Sequence, residues 1–516
     1  MINIYEPDIA PYTKSAIDAI KSGWISNHGK YVDASTKLIQ TKFNIKHAVL
    51  MANGTCATHC LFLALKYKHP TINTIYVPNN AYVAAWNAAL MTYESSQLRV
   101  MKMDDSTWNV DTNTDSIESN SAVLIVHNLG NVINVPRLAK LRPDLILLED
   151  NCEGFTGKYN GIYTGTSHET LCSSASFYGN KIITTGEGGV FMTQHTDIYE
   201  YINRVYCQGM SETRYLHDIH AYNYRMTNIE AAFLYDQLND LDNILDRKQY
   251  VFERYIQLFS KLPMIQLFSI EENTTPANWI FTIRIPNNPI SIPLITEFFN
   301  RKSIDIRPFF YPIHCHTHLS NIVHDKDLIS EKLNREVIML PSSPNIKPNE
   351  QYQIANTVIE FLLHVKNITI EQITPSNRDE IYNIFLSQIK DPNFRYYNTR
   401  KECPHTYSIV LQSDTGRYIG YAHIDEGWLG IYIENRFQNQ GIGSLILNYI
   451  LNYSKMNDIR YLKLTVDKTN KRAIGLYEKY GFTYGDAVEK EQTFYLMEKC
   501  EFIGLSGRRN PSPLAI

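Results

Sequence analysis

One lysine stands in the run Ser176-Phe-Tyr-Gly-Asn-Lys181-Ile-Ile-Thr-Thr-Gly-Glu-Gly-Gly189, between small or apolar residues and a Gly-rich turn. Thirty-one residues upstream, Asp150 closes the apolar run that begins at Leu145. An amine and an acid at the end of a strand could serve pyridoxal phosphate (PLP). The amine would form a Schiff base, and the acid would hold the pyridine nitrogen protonated so that the ring accepts electrons. Each residue alone reads equally as a structural lysine or a helix-capping aspartate. Further polar groups fall nearby in sequence order. Asn53-Gly54-Thr55 opens a helix and could cradle a phosphate on backbone N–H groups and a hydroxyl. Ser176 could reach the same phosphate, Tyr82 follows a strand end and could stack on a ring, and Asn223 precedes a long helix.

A second set lies near the C-terminus. A β-rich run from Trp428 leads into Gln438-Asn439-Gln440-Gly441-Ile442-Gly443-Ser444, then into an apolar helix. Such a turn at a helix N-terminus binds pyrophosphate. Downstream stand Asn470, Ala473, Tyr477 and Gly481-Phe482.

The elements that must position these groups alternate in type. Strands are expected at Thr74–Pro78, Val100–Met103, Ala122–His127 and Leu145–Asp150, with helices at Ser15–Ser22 and Cys56–Tyr67. This predicts an α/β fold on a mostly parallel sheet, with ligands at the carboxyl ends of the strands. Asn228–Phe259 reads as one long helical segment, and an α+β pattern runs from Ile265 to a final helix at Asn349–Val365. A second unit begins near Ile368 with almost no linker. The tail, 501–516, is expected to be disordered.

Composition bounds the function. The 516 residues suit more than one domain, and a formal charge of −4 gives no case for nucleic acid or an anionic membrane as partner. The eight cysteines form no CxxC pair, the N-terminus lacks a signal-peptide pattern and no apolar run is long enough to span a bilayer. A cytoplasmic protein is expected. The tract His314-Cys-His-Thr-His318 could converge on a metal from alternate strand positions, but no acidic or cysteine partner stands at ligand spacing, so no metal is expected.

Residues 1–365 resemble the DegT/DnrJ/EryC1/StrS sugar aminotransferases of PLP fold type I. The segments that carry the resemblance are NGT at 53, PNNAYVAAWNAA, DDSTWNVD, VHNLG, LLEDNCE, SFYGNKIITTGEGG, YNYRMTNIEAA and IRPFFYPIH. Two of them, SFYGNKIITTGEGG and YNYRMTNIEAA, are similar to perosamine- and viosamine-type synthases. The resemblance implies a large mixed, mostly parallel domain (about 1–250) and a small α+β subdomain (about 251–366). It makes Lys181 the Schiff-base lysine and proton shuttle, Asp150 the pyridinium partner and Tyr82 the stacking ring. Gly54, Thr55 and Ser176 would hold the phosphate, and Glu153 would lie near the cofactor hydroxyl and substrate. Asn223 would reach the neighbouring subunit's cofactor, implying a homodimer with shared PLP sites. Arg307 and His314 would contact the nucleotide sugar. Leu129 and Thr166-Ser-His-Glu169 depart from the family pattern around the substrate pocket. Related 3-dehydrases carry histidine where Lys181 stands, so the lysine favours transamination.

Residues 367–500 resemble the GNAT N-acetyltransferases through Q-x-x-G-x-G and N-x-x-A-x-x-x-Y-x-x-x-G-F. The resemblance implies that Gln438 to Ser444 bind the acetyl-CoA pyrophosphate, Asn470 contacts the cofactor arm and Tyr477 protonates the departing thiolate. Glu434, Tyr432 or a water would be the base. Together the halves imply amination of a nucleotide-linked 4-keto-6-deoxyhexose with L-glutamate as donor, followed by N-acetylation of the product. The alternatives are a PLP sugar dehydratase, or a PLP-fold scaffold that presents the acetyltransferase to another substrate.

Overall fold

The computed structural model describes residues 1–322, 327–388, 406–485 and 494–500. The expected disordered tail, 501–516, lies outside them. By internal contacts the chain forms two compact units, one of Met1–Ile256 with Ile265–Ile346, the other of Gln257–Met264 with Lys347–Ile516.

The first unit is built on β1 (His47–Met51), β2 (Ile75–Pro78), β3 (Leu98–Met101), β4 (Ala122–Val126) and β5 (Ile146–Asp150). A hairpin follows, of β6 (Lys158–Tyr159) and β7 (Ile162–Tyr163), then β8 (Thr170–Ser176) and β9 (Gly189–Thr193). The main sheet runs β1-β9-β8-β5-β4-β2-β3, and β9 pairs antiparallel with both neighbours, so it alone runs against the rest. The sheet is buried on both faces. In β4, Val123 and Ile125 enter one core, while Ala122, Leu124 and Val126 enter the other. Two-sided burial explains why these strands read as continuous apolar runs.

Helices α1 (Lys14–Ser22), α2 (Lys30–Phe43), α3 (Gly54–Lys68), α4 (Ala84–Leu90), α5 (Val135–Leu141), α6 (Thr196–Val205) and α7 (Asn228–Asn239) accompany this sheet. The segment expected as one helix over Asn228–Phe259 is two, because α8 (Leu241–Phe259) starts anew after Asp240. Asp240 leaves helical geometry (φ −107°, ψ 17°), and its carboxylate accepts from Tyr12 Oη at 2.7 Å and Asn243 Nδ2 at 2.6 Å. Asp competes with the helix for local hydrogen bonds, and here it turns the chain.

Strand β10 (Thr274–Thr275) joins β6 and β7 in a three-stranded sheet. Another small sheet, in the order β11-β13-β12, consists of β11 (Thr282–Arg284), β12 (Arg307–Pro308) and β13 (Val337–Met339), with α9 (Ile292–Arg301) and α10 (Leu328–Glu336) between its strands in sequence.

In the second unit, α11 (Pro348–His364) precedes β14 (Ile368–Gln372), α12 (Arg378–Gln388), β15 (Tyr407–Ser413), β16 (Tyr418–Asp425) and β17 (Trp428–Ile433). Then come α13 (Ile442–Met456), β18 (Tyr461–Asp467), α14 (Lys471–Lys479), β19 (Thr483–Tyr484) and β20 (Phe494–Cys500). The sheet order is β14-β15-β16-β17-β18-β20-β19. The only parallel neighbours among the described strands of this sheet are β17 and β18. Helix α11 packs on α13, where Tyr449 Oη meets Glu360 Oε1 at 3.1 Å and Asn452 Nδ2 donates to Asn356 Oδ1 at 2.9 Å. The contact division therefore falls before α11, at residue 346, whereas the sequence pattern places it at 366.

Candidate active sites

Register collects the first set of residues. Met51 pairs with Gly189, Gly189 with Ser176, and Asp150 with Ser174. The ends of β1, β8 and β5 thus lie side by side with the start of β9. The turn after β1 caps α3, since Asn53 Oδ1 accepts from Cys56 N at 2.9 Å. This cap orients the first backbone N–H groups of α3 toward the strand ends. Gly54 approaches so closely that a Cβ there would stand 2.7 Å from Ser176 Cβ and 3.2 Å from Cys152 Sγ. Only glycine allows that approach.

Lys181 lies on the loop between β8 and β9. Its Nζ stands 3.9 Å from the centroid of the Trp279 ring, and its carbonyl accepts from Tyr5 Oη at 2.9 Å. Trp279 Nε1 donates to the carbonyl of Asn180 at 2.8 Å. Lys181, Ser176, Cys152, Glu153, Phe155 and Trp279 line one small cavity that opens to solvent. Glu153 is buried, and its Oε2 accepts from Leu129 N at 2.7 Å. Burial raises its carboxyl to about 7, with Lys181 pulling the other way. Asp150 is 5 % exposed, and its Oδ1 accepts from Cys152 N at 3.0 Å. Beneath it, the fully buried Glu149 accepts from His127 Nε2 at 3.0 Å, Gly165 N at 3.0 Å and Tyr159 Oη at 3.1 Å. His127 Nδ1 accepts from Ile133 N at 3.1 Å, so a neutral imidazole carries its proton on Nε2, toward Glu149.

The other expected residues stand outside the cavity lining. Tyr82 is 62 % exposed, with Phe310 edge-on at 6.2 Å, and is not a core aromatic. Thr55 is exposed at the start of α3. The stretch that holds Asn223 runs beside the β1 turn, since Ala52 N donates to Tyr224 O at 2.8 Å. The Asn223 side chain accepts from Arg225 Nε at 2.9 Å and does not line the cavity of its own chain. Arg307 pairs with Asp305, and His314 is exposed on a short turn. That turn is tied to the strand ends, because Asn80 Nδ2 donates to Phe310 O at 2.8 Å and Ile313 N to Asn79 O at 2.9 Å. Among the described residues, no three His, Cys, Asp or Glu gather as a metal site. Tyr5, Cys152 and Trp279 were missed by sequence reasoning. Trp279 and Tyr5 come from distant segments and carry no local motif.

An amine, a buried carboxyl and a hydroxyl around one cavity, with Asp150 and a helix N-terminus at the adjoining strand ends, form the donor set that a phosphorylated pyridine aldehyde requires. The glycine cradle at residue 54 leaves room for the phosphate to meet backbone N–H groups. The residues present therefore fit PLP.

The second set gathers where β17 ends. β17 and β18 pair at one register position, Trp428 with Lys463, and beyond that position they exchange no further ladder pair among the described residues. The turn into α13 uses left-handed backbone at Asn439 (φ +62°) and Gly441 (φ +80°), and no side chain caps the helix. The N–H groups of Ile442, Gly443 and Ser444 are thus left for an anion. Gln438 Nε2 donates to Ile433 O at 2.9 Å and Gln440 Nε2 to Arg436 O at 3.1 Å, so both side chains brace the turn. A Cβ on Gly443 would lie 3.4 Å from Leu476 Cδ2 and 3.8 Å from Ile433 Cδ1, which places α14 beside the turn. Asn470 caps α14 through Ala473 N at 3.1 Å. Tyr477 is 7 % exposed, and burial pushes its phenol up to about 12. Of the expected bases, Glu434 is held by Arg417 Nη2 and Arg436 Nε, both at 2.9 Å.

Among the described residues no helix is long and apolar enough to cross a membrane. Residues 9–359 match the DegT/DnrJ/EryC1/StrS aminotransferase family, and residues 376–482 match the acetyltransferase (GNAT) family. GDP-perosamine synthase of Vibrio cholerae is 31 % identical over 375 residues, covering 70 % of this chain and 99 % of the relative. That of Escherichia coli O157:H7 is 29 % identical over 367 residues, covering 70 % and 98 %. The crystal structure of Helicobacter pylori PseC, an aminotransferase of pseudoaminic acid biosynthesis, superposes with a TM-score of 0.63 at 20 % identity, over 69 % of this chain and 97 % of that one. Glycine cradle, loop lysine and single antiparallel strand in one half, parallel β17–β18 pair and uncapped helix in the other, agree with these matches: the chain belongs to the DegT/DnrJ/EryC1/StrS aminotransferase family and carries a C-terminal GNAT acetyltransferase domain.

Proposed function

We propose that this chain aminates C4 of a nucleotide-linked 4-keto-6-deoxyhexose, with L-glutamate as donor, and then acetylates the new amine from acetyl-CoA. The first enzyme would span about residues 1–366 and the second about 367–500. The observation that carries the reading is the shared cavity of Lys181, Glu153 and Ser176 beside the Gly54 cradle. The relatives named GDP-perosamine synthase support the choice of sugar and carbon.

PLP, when bound, supplies an electron sink that makes proton transfer at carbon accessible. Ser176 Oγ, Thr55 and the N–H groups of Gly54 and Thr55 would hold its phosphate. The Asp150 carboxylate would accept from the ring N–H, and Tyr82 would supply the stacking face. Lys181 Nζ would carry the proton between donor and sugar carbons, and Glu153 would serve the cofactor hydroxyl. Arg307 and His314 contact the nucleotide sugar. Asn223 reaches the phosphate held by a second copy, so the working form is a homodimer.

In the acetyltransferase, the turn from Gln438 to Ser444 binds pyrophosphate through its N–H groups, and Asn470 contacts the pantetheine arm. The buried Tyr477 phenol keeps its proton at neutral pH and gives it to the departing thiolate. With Glu434 engaged by two arginines, water is the better candidate for the base.

The test is a one-pot reaction of keto-sugar nucleotide, glutamate and acetyl-CoA followed by mass spectrometry. An amine intermediate and its acetylated product are expected. Lys181→Ala should form neither, yet should still acetylate supplied amino sugar. A deoxygenated product without nitrogen would sink the proposal in favour of dehydration.

A further inference from the structure

Lys248, on α8, is fully buried, and among the described residues no carboxylate pairs with it. Its Nζ donates to Trp279 O at 2.8 Å and to Ser342 O, and stands 5.3 Å from the centroid of the Tyr5 ring. Three segments distant in sequence meet at this one amine. They are fastened to one another as well: Leu340 N donates to Phe281 O at 2.8 Å, Phe281 N to Ser342 Oγ at 2.8 Å, and Glu6 N to Ser343 Oγ at 2.7 Å. Two of these segments deliver a group to the loop lysine. The Trp279 ring faces Lys181 Nζ, its Nε1 holds Asn180 O, and Tyr5 Oη holds Lys181 O.

We propose that Lys248 is a positioning residue for Lys181, acting through Trp279 and Tyr5. A buried amine with no anionic partner is unfavourable unless its donors are used. Here burial alone lowers it to about 7; of the two carbonyls it serves, Trp279 O belongs to a segment that frames Lys181, and Ser342 O to the segment that is bonded to both the Trp279 and the Tyr5 segments. The titratable groups next to Tyr5 are Asp8, Arg247 and Lys248 itself, and those that interact with Lys181 are Glu153 and Cys152. A methionine would fill the same space without holding either carbonyl. The Trp279 face and the Tyr5 hydroxyl would then lose their fixed positions, and with them the direction of Lys181 Nζ.

The inference rests on the PLP reading of Lys181, and the experiment separates the two. Purified full-length protein is titrated with PLP, and visible circular dichroism is recorded per mole bound. That signal reports the orientation of the chromophore at Lys181, and thermal melting is followed in parallel. Absence of a visible band in the wild-type protein would overturn the PLP reading itself. With a band present, Lys248→Met should reduce the dichroism and lower kcat about tenfold with KM unchanged, as a small misplacement of a reacting group does. Trp279→Phe and Tyr5→Phe should each reduce the dichroism. Lys248→Met combined with Trp279→Phe should fall no further than the worse single variant. Wild-type dichroism in Lys248→Met, or effects that simply add, would overturn the inference. If Lys248→Met does not fold, Trp279→Phe and Tyr5→Phe decide it, and an unchanged signal in both rejects it.

Discussion

Single side chains set the pH behaviour of the two sites. The Glu153 carboxyl is raised from the ordinary range to about 7 by burial. Its folded-state value lies above its unfolded one, so its contribution to stability is fully present below the unfolded value, near 4.5, and is lost as pH rises through about 7. Glu153→Gln keeps the neutral shape. It should therefore melt above wild type at pH 8, by up to roughly 3 kcal/mol of stability, and match it near pH 4.5. Melting curves at the two pH values check the sign. If Tyr477 is the acid as proposed, Tyr477→Phe should lower acetyl transfer about 100-fold while transamination is untouched. Product ratios by mass spectrometry read both activities at once. Lys181, Asp150 and Ser176 were legible as candidates from residue type and from position at a strand end or in the loop that follows one. Trp279 and Tyr5 were not, because their roles arise only when segments 99 and 176 residues from the lysine loop fold onto it.

At the scale of elements, both anion-binding turns rely on a glycine at a helix start, for different reasons. Gly54 is needed for space. In Gly54→Ala the new Cβ would press on Ser176, costing about 1–3 kcal/mol and weakening PLP binding at least tenfold in a titration. Gly441 is needed for its φ of +80°. Gly441→Ala should cost about 1 kcal/mol and raise KM for acetyl-CoA, leaving the aminotransferase unaffected. Strand and helix types were readable from apolar runs and caps, because the α/β sheet is buried on both faces. The break at Asp240 was written in the Asn239-Asp240-Leu-Asp-Asn243 cluster, but helical periodicity on either side concealed it. The β1–β9–β8 register, which assembles the cradle, depends on pairing between remote strands and leaves no local mark.

For the whole molecule, the boundary between the two compact units is the informative feature. Helix α11 buries Ile354, Ala355, Val358, Ile359, Phe361, Leu362 and Leu363, and packs on α13. A fragment of residues 347–500 should therefore be more stable than one of 367–500 by several kcal/mol, as urea titrations would show. Equal midpoints would mean that α11 adds nothing to the acetyltransferase. The sequence marked a boundary where the β-strand pattern resumes, but it could not show which core the preceding helix joins. The aminotransferase family match runs through Ile359, so most of α11 lies within that match although its contacts place it in the second unit. Recombination at residue 366 would strip the acetyltransferase of part of its interior. A graft of the acetyltransferase domain onto a foreign aminotransferase should therefore take α11 along.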